Sequence, residues 1–120
     1  MVEVGRRTRN QPAPPHVVFE ELTDPDRDPA RPWLTLLDDE RRPRLVEVDE
    51  PALVVRSSLW NKRPDAVVRF DLPAERDGYG TDLCWTLLVD HPAPDAALIG
   101  HMRKRLNRLV NANLRYTFGQ

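Results

Sequence analysis

The sequence predicts an α+β domain in which an antiparallel β-sheet wraps around a long C-terminal α-helix. Two observations lead there. Four consecutive segments between residues 44 and 90 alternate apolar and polar side chains with period two, as antiparallel strands with one wet face do. The last segment, opened by Pro94 and Asp95, repeats apolar residues at helical spacing as far as about Phe118. At 120 residues, 40% of them hydrophobic, the chain suits a single domain over residues 1–120 with one small core. No repeat, internal boundary or low-complexity tract divides it.

Each element follows in order. Val2 to Asn10 alternates weakly, with Val2 and Val4 ahead of polar residues, and reads as an edge-like first strand. Pro12, Pro14 and Pro15 end it, and Pro15 suits the first turn of a helix, where a missing N–H costs nothing. Val17, Val18 and Leu22, with Phe19 beside them, place a short helix over residues 15–23, stopped by the breaker-rich stretch from Thr23 to Pro32. Trp33-Leu34-Thr35-Leu36 fits either a strand or a helical turn.

Four strands come next, each with one set of residues expected to face the core. Val46 and Val48 oppose Glu47 and Asp49; Leu53, Val55, Ser57 and Leu59 oppose Arg56 and Ser58. Val68, Phe70 and Leu72 oppose Arg69 and Asp71; Leu83, Trp85, Leu87 and Val89 oppose Asp82, Cys84, Thr86 and Asp90. Asp49-Glu50-Pro51, Asn61 to Asp65 and Arg76-Asp77-Gly78-Tyr79-Gly80 supply the turns. In the final helix, interrupted only by Gly100, Leu98, Met102, Leu106 and Leu109 form a stripe flanked by Ile99 and Val110. Arg103, Lys104, Arg108 and Arg115 lie on or near the far side. A helix this long with one apolar face needs a broad surface beneath it, and the sheet provides one.

Composition narrows the function. Charged residues make up 31% of the chain, yet the net charge is −1. That balance argues against a general nucleic-acid or membrane-surface binder, since both need a basic field. The single cysteine, Cys84, forms no intramolecular disulfide and builds no zinc site alone. The opening MVEVGRRTRN has no apolar signal core, and no run approaches the roughly 20 apolar residues that span a bilayer. A cytoplasmic protein without membrane insertion is expected. The 12 prolines outnumber the 5 glycines but fall at element boundaries, as punctuation.

No catalytic constellation stands out. His16, His91 and His101 sit at a helix start, a loop and the last helix, without the converging spacing of metal ligands. Cys84 lies on the face opposite Trp85 with no neighbouring base to lower its pKa, so it reads as a structural thiol. Ser57, Ser58, His101 and several aspartates are present without a Gly-x-Ser-x-Gly turn. Phosphate-loop and dinucleotide motifs are absent, so neither cofactor nor metal is expected. The basic run His101-Met102-Arg103-Lys104-Arg105 reads as a solvated helix face.

Three stretches carry a family resemblance. Pro14-Pro15-His16-Val17-Val18-Phe19, followed by Leu22-Thr23-Asp24-Pro25, is a proline-started helix with a Val-Phe pair that ends in an aspartate. Trp33 stands at the place of a tryptophan that follows a second short helix in the family the chain resembles, and Gly80-Thr81-Asp82-Leu83 leads into the strand before the last helix. In this order and spacing, over about residues 3–118, they resemble the START-like superfamily, also called SRPBCC or birch-pollen-allergen-like. The resemblance implies a helix-grip fold, in which a curved sheet grips the long helix and the gap between them can hold an apolar ligand. This chain is shorter than a typical member, so one or two strands are expected to be short or missing. Members include lipid carriers, polyketide cyclases and aromatases, ring-hydroxylase subunits and the activator domain of a heat-shock ATPase, so the fold does not set the function.

On that reading the domain binds a small hydrophobic or amphipathic molecule between sheet and C-terminal helix. Trp33, Val55, Ser57, Phe70, Trp85, Met102, Leu106 and Asn113 are the expected ligand-binding residues. Ser57 and Asn113, polar residues on apolar faces, would orient the ligand or bond directly to backbone. Trp60, one residue past inward Leu59, is expected to be exposed beside Asn61-Lys62-Arg63-Pro64. The rival readings are a protein-interaction module and a cyclase- or aromatase-like enzyme; on any of them the chain is expected as a monomer or homodimer. An apolar volume above about 300 Å³ would favour the binder. A filled interior with an apolar patch at Trp60 would favour the module, and a histidine or carboxylate facing the gap would favour the enzyme.

Overall fold

The first two strands of the chain form the opposite edges of one sheet. In the computed structural model, which describes residues 1–76 and 78–119, the elements run β1 (Val2–Gln11), α1 (Pro15–Thr23), β2 (Leu45–Asp49), β3 (Leu53–Ser57), β4 (Val67–Asp71) and β5 (Thr81–Val89). A C-terminal helix closes the chain: α2 (Ala96–Arg108) continues through a π-helical turn (Leu109–Leu114) into a last turn, α3 (Arg115–Thr117). The five strands lie in the order β1-β5-β4-β3-β2, every neighbour antiparallel. The chain therefore lays down one edge, crosses the sheet through α1 and the segment 24–44, and meanders back from the far edge.

Local chemistry explains the ends of the elements. Pro14 caps α1 in an extended conformation with Pro15 in its first turn. Its last turn closes where Thr23 donates to the Phe19 carbonyl at 2.8 Å, ahead of Pro25. Asp95 accepts the Leu98 N–H at 2.9 Å and opens α2 as an N-cap. At the start of β5, a Cβ on Gly80 would come within 2.5 Å of the Gln11 carbonyl oxygen, so only glycine lets β1 approach here. The neighbouring Thr81 donates to the Ala13 carbonyl at 2.8 Å. Trp33 to Leu36 forms neither strand nor helical turn but part of an irregular segment. Of the turn expected over residues 76–80, Asp77 lies outside the described residues.

One core joins the layers. Val18, Phe19 and Leu22 of α1, the inner face of β3, β4 and β5, and Met102, Leu106, Leu109, Val110 and Leu114 of the C-terminal helix bury together. For β4 and β5 the inward residues are those expected: Val68 and Phe70, then Leu83, Trp85, Leu87 and Val89.

The face of β3 is reversed. Val54 and Arg56 are buried, whereas Leu53, Val55 and Ser57 sit half-buried on the other side. Cross-strand neighbours share a face. Val54 pairs with Phe70 and Arg56 with Val68, so the core face of β4 dictates that of β3. The adjacent Val54 and Val55 leave the alternation ambiguous, and Arg56 is not the solvent marker its charge suggests. Trp60 is also inside, at 2% exposure. It lies beyond the last residue of β3, where strand alternation no longer governs direction, and bridges to Glu40. On β2 both sets are exposed, because it is an edge strand and no described element covers either face.

Candidate functional site

The interface of sheet and C-terminal helix is where an internal ligand would lie. Its free volume is about 20 Å³, enough for a single water. Trp33 and Leu34, from the irregular segment, fill it against Phe70, Leu59 and Leu106. Among the described residues no histidine, aspartate or glutamate lines it.

Two buried arginines border this core. Arg56, 6% exposed, donates through Nη1 to the Leu22 carbonyl at 2.7 Å and through Nη2 to the Pro43 carbonyl at 3.0 Å. It thereby ties the end of α1 and the irregular segment to the sheet, placing a cation where the helix dipole is negative. Its Nε has no protein partner, and no carboxylate pairs with it among the described residues. Burial lowers its pKa, with the charge of Arg42 adding to the effect and Asp26 opposing it.

Arg105 is arranged differently. Its Nε and Nη2 meet Glu40 Oε2 and Oε1 at 2.7 and 3.0 Å, and Nη2 also donates to the Thr35 carbonyl. Glu40 Oε1 accepts the Leu37 N–H at 2.8 Å as well. This bidentate pair clamps the irregular segment onto α2. Neither arginine is foreshadowed by hydropathy, because arginine in an amphipathic element reads as a surface residue. Only its capacity for several carbonyl or carboxylate partners makes burial affordable.

The expected ligand residues separate. Trp33, Phe70 and Leu106 do line the gap, and Ser57 sits at its rim. The Ser57 hydroxyl accepts the Arg44 N–H at 2.8 Å. Trp85 and Met102 are wholly buried in the core beyond the gap. Val55 faces away with the reversed strand. Asn113 is half-buried, and its Nδ2 donates to the Trp33 carbonyl at 3.1 Å and to Thr35 Oγ1 at 3.2 Å. It misses the centre of the stripe, where Leu109, Val110 and Leu114 are buried; in the π-helical turn Leu114, five residues on, shares the inner side with Leu109. Both polar residues thus bond directly to backbone.

Open grooves lie outside. One of about 430 Å³ flanks the start of α2, where an edge of Trp60 meets Leu98, Asp39, Lys62 and His101. A second, about 610 Å³, runs between the helix flank and residues 30–37, with Arg31, Leu37, Arg108 and Tyr116 among its walls. His16, His91 and His101 are all exposed, and Cys84 is half-buried on the outer sheet face. Among the described residues no three histidine, cysteine, aspartate or glutamate side chains gather as metal ligands. No described helix is long and apolar enough to cross a membrane.

No protein-family model matches the chain, and no curated protein sequence does either. Solved structures do. The Aha1 dimer from Colwellia psychrerythraea superposes with a TM-score of 0.67 at 15% identity, covering 93% of this chain and 92% of that one. CalU16 from Micromonospora echinospora gives 0.64 at 18% identity over 88% and 70% of the two chains. An AHSA1-like protein from Rhizobium etli gives 0.60 at 22% identity over 92% and 78%. Ara h 8.0201 is similar over 97% of both chains, with a TM-score of 0.58 at 14% identity. Taken with the antiparallel sheet and its C-terminal helix, these likenesses establish the architecture: the chain has a START/SRPBCC-type helix-grip fold.

Proposed function

We propose that this helix-grip domain is a protein-docking module whose interior is filled by its own side chains. The observation that carries this reading is the 20 Å³ between sheet and helix, far below the roughly 300 Å³ of a small-molecule pocket. Apolar side chains are displayed outside instead. Leu45, Val46 and Val48 are 43%, 53% and 49% exposed on the edge strand β2, where backbone donors and acceptors are also free to pair. Similarity to Aha1 and AHSA1-like structures supports the same reading, since the activator domain of the START-like superfamily docks a heat-shock ATPase. The test is site-specific photo-crosslinking in the native host, with the crosslinker at outward positions on β2 and the C-terminal helix. A discrete heterologous adduct from one face is expected. Adducts from no position, together with a co-purifying small molecule, would overturn the module.

A second reading, a binder of a small amphipathic molecule, is favoured by Arg56. It is a buried cation with a free Nε beside a gap plugged by Trp33 and Leu34, and both plug residues belong to a segment without regular structure. If that segment withdrew, an apolar body would replace the plug. Native mass spectrometry of host-purified protein tests this: a repeated clean apo mass, with no thermal shift from a lipid and polyketide panel, removes the binder.

A further inference from the structure

We infer that the groove along the outer flank of the C-terminal helix docks a short acidic, partly apolar peptide segment of a partner protein. This rests on the docking-module reading and assigns it a face. The groove between the helix and residues 30–37 adjoins a second hollow of about 220 Å³, with Arg105 and Arg108 in the walls of both. Arg31, Lys104 and Arg108 supply their charge, and among the described residues no aspartate or glutamate lines either part. None of the three is in an ion pair among the described residues. Arg105 is already neutralised by Glu40 beneath it.

The field is therefore local, set against a chain of net charge −1. Apolar surface accompanies it: Leu37 is 48% and Tyr116 58% exposed, with Arg31 stacked 5.4 Å from the Tyr116 ring centre. From Lys104 to Tyr116 the helix advances about 18 Å, the length of about five extended residues. Three free cations suit a few carboxylates. They fall short of the run of about six to ten phosphates that drives nucleic-acid binding, and apolar walls beside them suit side chains better than a sugar–phosphate backbone. The sequence run His101 to Arg105 thus contributes Lys104 to a groove as well as to a solvated face.

Fluorescence anisotropy with a labelled synthetic hexapeptide of alternating glutamate and leucine tests the assignment on the full chain. Binding is expected to weaken about tenfold from low to physiological salt, as a charge-led contact does. Lys104→Glu with Arg108→Glu, both exposed and so expected to leave the melting temperature unchanged, should weaken it at least about tenfold. Lys62→Glu, on the other groove, should not. Absence of binding, or binding indifferent to the double reversal, overturns the inference. So does tighter binding of a single-stranded oligonucleotide, or self-association that the double reversal abolishes, which gives the groove to a second copy. If the peptide fails while crosslinking from β2 still traps a partner, the docking module stands and only its groove is wrong.

Discussion

Glu40 and Arg105 show how much of this structure rests on a few polar side chains. Both are more than nine-tenths buried and each holds the other in a bidentate fork. Removing one charge leaves the other stranded in a low-dielectric site, which costs about 3 kcal/mol or more. Glu40→Gln should therefore lose about that much in urea unfolding, while Glu40→Leu combined with Arg105→Met should recover most of it. A loss in the double variant equal to the sum of the losses of Glu40→Leu and Arg105→Met alone would show that the pair is not coupled. Asp65 offers a second test. Arg63 grips it through Nε and Nη2 at 2.9 and 2.8 Å, and the Asp90 N–H donates to it at 2.8 Å, so its carboxyl titrates well below the ordinary range. A depressed folded-state pKa contributes stability above the unfolded value and loses it as pH falls toward the folded one. The advantage of wild type over Asp65→Asn should be full at neutral pH and shrink below about pH 4. A constant difference across that range would contradict it.

Among the elements, the C-terminal helix invites the plainest intervention. Gly100 sits in α2 with nothing within 4 Å of where a Cβ would be. Gly100→Ala should stabilise the domain by about 0.5–1 kcal/mol, read as a higher urea midpoint at constant slope. A lower midpoint would mean that the position has a packing role its surroundings do not reveal. Strong periodicity made this element, α1 and the two central strands legible from sequence. Residues 15–23 come out as the helix the proline, the Val-Phe pair and the aspartate imply. The phase of β3 was not legible, since Val54 and Val55 are equally apolar and only pairing with Phe70 and Val68 decides between them. Nor was the inward turn of the helix past Arg108, where one π-helical turn exchanges Asn113 for Leu114. Both depend on contacts between elements, which local pattern does not encode.

For the whole molecule, the helix-grip architecture was readable because the order of elements spans the entire chain. The state of its interior was not. The irregular segment 24–44 decides that: its Trp33 and Leu34 occupy the volume an apolar guest would take, and the Glu40 clamp and the Arg56 bond to Pro43 hold it there. A sequence reveals that such residues are apolar, but not that they fold back inside. The filled interior also has a mechanical consequence. Hydrostatic pressure unfolds proteins largely by eliminating internal voids, and the gap between sheet and helix has room for no more than about one water. Its unfolding volume should lie near the small end of the usual range, about −20 mL/mol, followed through the buried Trp33, Trp60 and Trp85. A helix-grip protein built around an empty chamber should yield at far lower pressure, so compression sorts hollow members of this architecture from solid ones without knowing what any of them binds.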